Sequence, residues 1–136
     1  MNREELKSIL PHREPMLLID EAVRNEDGSA TGFYTVRGDE FFLQGHFPGN
    51  PIVPGVIQLE MMAQACAVLL AADSASQTYY TGIDKVRFRN KVVPGDTIRF
   101  DCRITKSKAP FHFAEGKGYV NNKLCVQAEF SIAVIA

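Results

Sequence analysis

Val56-Ile57-Gln58-Leu59-Glu60-Met61-Met62-Ala63-Gln64-Ala65-Cys66-Ala67-Val68-Leu69-Leu70 is the stretch that decides the fold. The pattern is helical, and its apolar residues point to every side. Gln58, Glu60 and Gln64 are its only polar side chains. A soluble helix without a polar face must be enclosed by other elements. Just before it runs Gln44-Gly45-His46-Phe47-Pro48-Gly49-Asn50-Pro51-Ile52-Val53-Pro54-Gly55, with three prolines and three glycines. That density argues against a helix or a central strand and for a stiff, shaped loop. Pro54 suits the first helical turn, where its missing N–H would have been unpaired anyway.

The enclosure has to come from the rest of the chain. Strand-like runs lie near 79–89, 97–105, 111–120 and 124–135. In the first of these, Val86 and Phe88 alternate with Lys85, Arg87 and Arg89, the period of a strand with one wet face. Toward the N-terminus, residues 3–10 suit a short helix stopped by Pro11. Met16-Leu17-Leu18-Ile19-Asp20 reads as a strand, Asn25-Glu26-Asp27-Gly28 as a turn, and Ala30–Val36 as the returning strand. Strands, one buried helix, then more strands make an α+β fold, an antiparallel sheet wrapped around a central helix.

The 136 residues show no break in composition, so one domain spanning 1–136 is expected. Cys66, Cys102 and Cys125 lack metal-type spacing and read as buried, reduced thiols, with no metal site. Met1–Leu6 has no signal-peptide character, and the longest apolar run, Ala65–Ala72, falls far short of the ~20 residues that span a bilayer. A soluble cytoplasmic protein is the expectation. Net charge is −1, yet residues 1–75 carry 11 acidic and 5 basic residues, whereas 84–108 carry 3 acidic and 8 basic. A local basic excess on a near-neutral chain suits an acidic partner rather than bulk nucleic-acid binding. The plainer alternative is a solvated strand face.

Two residues stand out chemically. Glu60 and Gln64 are four apart and share a helix face. A carboxylate in apolar surroundings is costly unless it is paired or faces a wet cavity. The alternative is an exposed first-turn Glu favoured by the helix dipole. His46 sits in the proline-stiffened loop, whereas His12 and His112 read as unremarkable. Imidazole titrates near neutrality, so His46 can take or give a proton during turnover. Free N–H groups at the helix start, Gly55 included, can hold a developing oxyanion. The set suggests proton transfer next to a carbonyl.

Leu10-Pro11-His12-Arg13, Gly45–Pro51, Pro54-Gly55-Val56, Glu60–Ala65, Gly82–Phe88 and Val92–Asp96 resemble, in order, the β-hydroxyacyl-acyl-carrier-protein dehydratases of bacterial type II fatty-acid synthesis. The resemblance implies a hot-dog fold with His46 and Glu60 catalytic. It places the site at a dimer interface, with His46 of one subunit facing Glu60 of the other. Gly55 and Val56 are the expected thioester-binding residues, and Gln64 the support for Glu60. Glu rather than Asp at position 60 favours dehydratases over dehydratase-isomerases. The implied partner is acyl carrier protein, with Lys85, Arg87, Arg89 and Lys91 as its docking face. The implied assembly is a homodimer or a trimer of dimers, with no cofactor. Departures fall at Glu14, Met16, Met61 and the 106–112 segment, and bear on acyl-chain preference and docking. Rival readings are a hot-dog acyl thioesterase and a non-catalytic acyl-binding module.

Overall fold

The computed structural model describes residues 1–70 and 76–135; the end of the apolar run, Ala71-Ala72, lies outside the described residues. A short helix α1 (Arg3–Leu6) precedes strands β1 (Glu21–Arg24) and β2 (Ala30–Thr35). A 3-10 turn (Phe41–Leu43) leads to helix α2 (Gly55–Cys66), which ends in a second 3-10 turn (Ala67–Leu69). Strands β3 (Gln77–Phe88), β4 (Thr97–Lys108), β5 (Phe111–Val120) and β6 (Lys123–Ile135) follow. All six strands form one antiparallel sheet in the order β1-β2-β4-β5-β6-β3. Helix α2 packs on β2, β4, β5 and β6, which is the hot-dog arrangement.

Two glycines set how closely helix and sheet approach. A Cβ on Gly32 of β2 would lie 2.6 Å from Ala65 Cβ, and one on Gly116 of β5 would lie 2.6 Å from Met62 Sδ. Their bare backbones let Leu59, Met61, Met62, Ala65 and Cys66 bury against Tyr34, Ile98, Phe100, Val126 and Phe130. Burying one such large apolar side chain is worth roughly 1.5–3 kcal/mol. Cys66, Cys102 and Cys125 are buried free thiols, as the sequence suggested.

Several expectations need correction. The helix is shorter than its apolar pattern, because the chain tightens into the 3-10 turn at Ala67 while the pattern continues. Pro54 is the residue before the first turn, with ψ of 142°, rather than a residue within it. Its own chain does not enclose the helix on all sides. Val56 is 72% exposed, and Ile57, Glu60 and Ala63 are only half-buried, because the sheet covers one side alone. Residues 3–10 contribute one helical turn, held by Asn2 and Glu5 in a reciprocal cap.

Met16–Asp20 is not a strand. Leu17, Leu18 and Ile19 are buried, but side chains satisfy much of the segment's backbone in place of a neighbouring strand. Arg3 donates to the carbonyls of Leu17 at 2.9 Å and Ile19 at 3.3 Å, and to Asp20 Oδ1 at 3.1 Å. Gln64 accepts from the Leu18 N–H at 2.7 Å and donates to the Met16 carbonyl at 2.9 Å. Buried backbone groups must be paired, but the partner need not be a strand.

Glu40 anchors the segment that leads to His46. Its carboxylate is buried and accepts from Tyr34 O–H at 2.8 Å, Arg37 N–H at 2.8 Å and Gly38 N–H at 2.7 Å. Burial alone would raise this carboxyl, but the three hydrogen bonds outweigh it and hold the group below its ordinary value of 4.5. A carboxyl so depressed contributes stability above its unfolded value and loses it as pH falls through its folded value. Glu40→Ala therefore costs about 2–3 kcal/mol at pH 7 by orphaning Tyr34 and two N–H groups. In urea titrations the gap from wild type should shrink as pH drops below the ordinary carboxyl range. An unchanged urea midpoint at pH 7 would contradict this role.

Candidate active site

His46 is carried on the loop that follows the first 3-10 turn. Its N–H bonds back to the Leu43 carbonyl at 3.1 Å. Gly45 (φ +77°), Phe47 (φ +53°) and Gly49 (φ +83°) are all in the left-handed region. A bulky residue such as Phe47 is strained there, which marks a loop whose shape is imposed by its surroundings. Further along, Val53 N–H bonds to the Val92 carbonyl at 2.8 Å, tying the loop to the segment after β3.

The His46 ring is oriented by one strong contact. Nδ1 lies 2.7 Å from the Ile52 carbonyl, which can only accept, so Nδ1 carries a proton and, in the neutral ring, Nε2 is the nitrogen with the lone pair. The ring packs against Phe47 with centroids 4.5 Å apart. His46 lines an open cleft of about 550 Å³ together with Gly55, Val56, Phe88, Arg89 and Lys91. The first helical hydrogen bonds run from Ile57 and Gln58 to the Pro54 carbonyl, at 3.1 and 3.2 Å. The N–H groups of Gly55 and Val56 precede them at the positive end of the helix. Gly55 lets the Phe88 ring close over the helix start, since a Cβ there would lie 2.6 Å from it and would have to displace the ring.

Glu60 lies in a different crevice, of about 30 Å³, lined among others by Leu10, His12, Ala63, Gln64, Thr78 and Tyr80. Its side chain is 27% exposed. Oε2 accepts from Gln64 Nε2 at 2.9 Å, and His12 Nε2 stands 3.5 Å from the same oxygen. Burial, reinforced by the Glu60 charge, pushes the Tyr80 hydroxyl well above its ordinary value, and that hydroxyl donates to the Leu59 carbonyl.

His46, Gly55 and Val56 therefore meet at one cleft, and Glu60 and Gln64 meet at another. Among the described contacts, none joins His46 to Glu60. The basic residues do not share a strand face as the alternation suggested. A bulge interrupts the β3–β6 register between Asp84 and Arg87, with Lys85 at φ +51°, and the strand ends at Phe88. Lys85 pairs with Glu129 at 3.6 Å, whereas Arg89 and Lys91 line the His46 cleft. His12 also needs correcting, because it is a neighbour of the Glu60 carboxylate rather than an incidental surface residue. The signal was its place in Leu10-Pro11-His12-Arg13. Arg13 clamps that turn through the carbonyls of Leu10 and His12, at 2.9 and 2.8 Å.

The fold and the two clefts define a hot-dog protein, and comparison with known proteins agrees. The structure superposes on a chain of the dehydratase heterocomplex ApeI:P from Xenorhabdus doucetiae with a TM-score of 0.78 at 21% identity, covering 94% of this chain and 89% of that one. An HP0420 homologue from Helicobacter felis gives 0.70 at 19% identity, covering 97% and 88%. Residues 10–129 match the model of the FabA-like domain. The 3-hydroxyacyl-[acyl-carrier-protein] dehydratase FabZ of Alkaliphilus metalliredigens is 42% identical over 99% of this chain and 95% of its own length. That of Pelotomaculum thermopropionicum is 42% identical over 96% of each. The chain belongs to the FabA-like family and, within it, to the FabZ-type dehydratases.

Proposed function

We propose that the protein removes water from (3R)-hydroxyacyl-acyl carrier protein to give trans-2-enoyl-acyl carrier protein in fatty-acid biosynthesis. The observation that carries this reading is the His46 ring, held through Nδ1 by the Ile52 carbonyl in a cleft shared with the start of α2. Nε2 takes the proton from C2 of the thioester. The Gly55 and Val56 N–H groups hold the thioester oxygen as charge builds on it. Glu60 gives its proton to the 3-hydroxyl, the C3–O bond breaks, the C2–C3 double bond forms, and water leaves. Gln64 supports Glu60 throughout.

Because His46 and Glu60 line separate clefts, the reading requires two copies of the chain, each supplying one of the pair. The half-bare helix strip of Val56, Glu60 and Ala63, with exposed Tyr79, Ile83 and Phe88 on edge strand β3, supplies an apolar surface for such a homodimer. An edge strand is also a natural template for pairing with another chain. A trimer of these dimers is compatible with the same site. We read residues 1–136 as one domain of a cytoplasmic enzyme that needs neither metal nor redox cofactor. Among the described residues, no helix is long and apolar enough to cross a membrane.

The direct test is mass spectrometry of 3-hydroxyacyl- and enoyl-carrier-protein mixtures with and without the protein. Interconversion differing by one water is expected, and His46→Ala and Glu60→Gln should each slow it by roughly 10²–10⁴-fold while leaving the fold intact. Release of free thiol would mean a thioesterase, and unchanged mixtures a binding module.

Arg89 and Lys91, beside the His46 cleft, are placed to steer an acidic carrier protein, while Lys85 and Arg87 lie on the bulged part of β3. Steering acts mainly on association and is screened over ~8–10 Å near physiological ionic strength. Charge reversal at Arg89 and Lys91 should lower kcat/KM for carrier-linked substrate much more than for a short pantetheine thioester, and added salt should narrow the gap. Equal losses on both substrates would contradict docking there.

A further inference from the structure

His12 Nε2 stands 3.5 Å from Glu60 Oε2, and the chemistry above gives His12 no task. We propose that His12 is a positioning residue for Glu60: with Gln64 it holds Oε2 and stabilises the carboxylate left when Glu60 gives up its proton, so that Oε1 is the oxygen that handles the proton. The inference rests on the dehydratase reading and assigns a division of labour between the two carboxyl oxygens.

Three observations converge on it. First, the Gln64 amide cannot be turned over. Its Oε1 accepts from Leu18 N–H at 2.7 Å, so its NH₂ group is the part that meets the Met16 carbonyl and Glu60 Oε2, each at 2.9 Å. Second, His12 approaches that same oxygen with Nε2, at 3.5 Å. This is longer than a hydrogen bond in the resting site and close enough to shorten as charge appears on the carboxylate. Third, His12 Nδ1 is buried and has no hydrogen-bond partner among the described residues. An N–H buried there would be orphaned at a cost of about 1–3 kcal/mol, so the favoured tautomer carries its proton on Nε2, facing Glu60.

Two donors on Oε2 leave Oε1 as the oxygen without either contact. When Glu60 protonates the leaving hydroxyl it becomes ionised, and donors aimed at an ion are stronger than donors aimed at a neutral acid. His12 thus favours the transition state over the ground state, which is the condition for raising kcat rather than lowering KM. The ring is held for this task from its own side. The Arg13 guanidinium grips the carbonyls of Leu10 and His12, and its third contact, with the Lys7 carbonyl at 3.4 Å, closes the turn onto the end of the first helix.

The test compares three variants of the intact protein with wild type, each first checked for an unchanged Tm. His12→Leu removes the donor, and kcat is expected to fall about tenfold with KM within about twofold. His12→Gln offers an amide N–H near the position of Nε2 and should recover kcat to within about threefold of wild type. His12→Asn keeps a polar group but is too short to reach Oε2, and should fall as the Leu variant does. If the Leu variant fails to fold, the Gln and Asn pair decides. Wild-type kcat in His12→Leu, or equal losses in Gln and Asn, would overturn the proposal. A wild-type protein that does not dehydrate carrier-linked substrate would instead overturn the dehydratase reading on which it stands.

Discussion

A carboxylate in the second turn of an otherwise apolar helix is the constraint on which the rest of the structure turns. Glu60 is half-buried among apolar residues, where a carboxylate is costly unless it is paired. Gln64, one turn further along, supplies one partner through Nε2, and the remaining capacity of the Gln64 amide is used on the backbone at Met16 and Leu18. The N-terminal segment is thereby held against α2 instead of joining the sheet. That brings the Leu10–Arg13 turn, and His12 with it, to the Glu60 crevice. Arg3 completes the arrangement by satisfying carbonyls that a neighbouring strand would otherwise take.

The same helix serves a second site at its other end. There the proline-rich loop brings His46 beside Gly55 and Val56, whose N–H groups precede the first helical hydrogen bonds. Between the two ends runs the strip that the sheet leaves half uncovered. A helix this apolar, bare along the strip that carries its one carboxylate, makes sense when a second copy covers it. The proposed mechanism depends on that pairing, since within one chain His46 and Glu60 line separate clefts.

Much of this was legible in the sequence, and what was not has physical causes. The loop at Gln44–Gly55 and the helix after it were plain, because proline and glycine punctuate strongly and the apolar run is long. The strands β2 and β4–β6 appeared near their expected places. Met16–Asp20 misled because apolar content signals burial and not pairing, and the partners of its backbone are side chains at Arg3 and Gln64, remote in sequence. The basic row from Lys85 to Lys91 misled because alternation presumes a regular strand, and a bulge shifts the pattern by one residue. His12 was overlooked because its significance lies in a contact across 48 positions, which spacing cannot reveal. The family resemblance, in contrast, implied His46 and Glu60 as the pair and a site shared between chains, which the proposed function carries forward.

Subunit complementation tests the shared site most directly. His46→Ala and Glu60→Gln proteins, each inactive alone, are mixed under conditions where exchange of subunits is verified by native mass spectrometry. The account predicts that dehydration returns, because in a mixed dimer one of the two sites combines an intact His46 with an intact Glu60. Persistent inactivity despite proven exchange would contradict a site built from two chains.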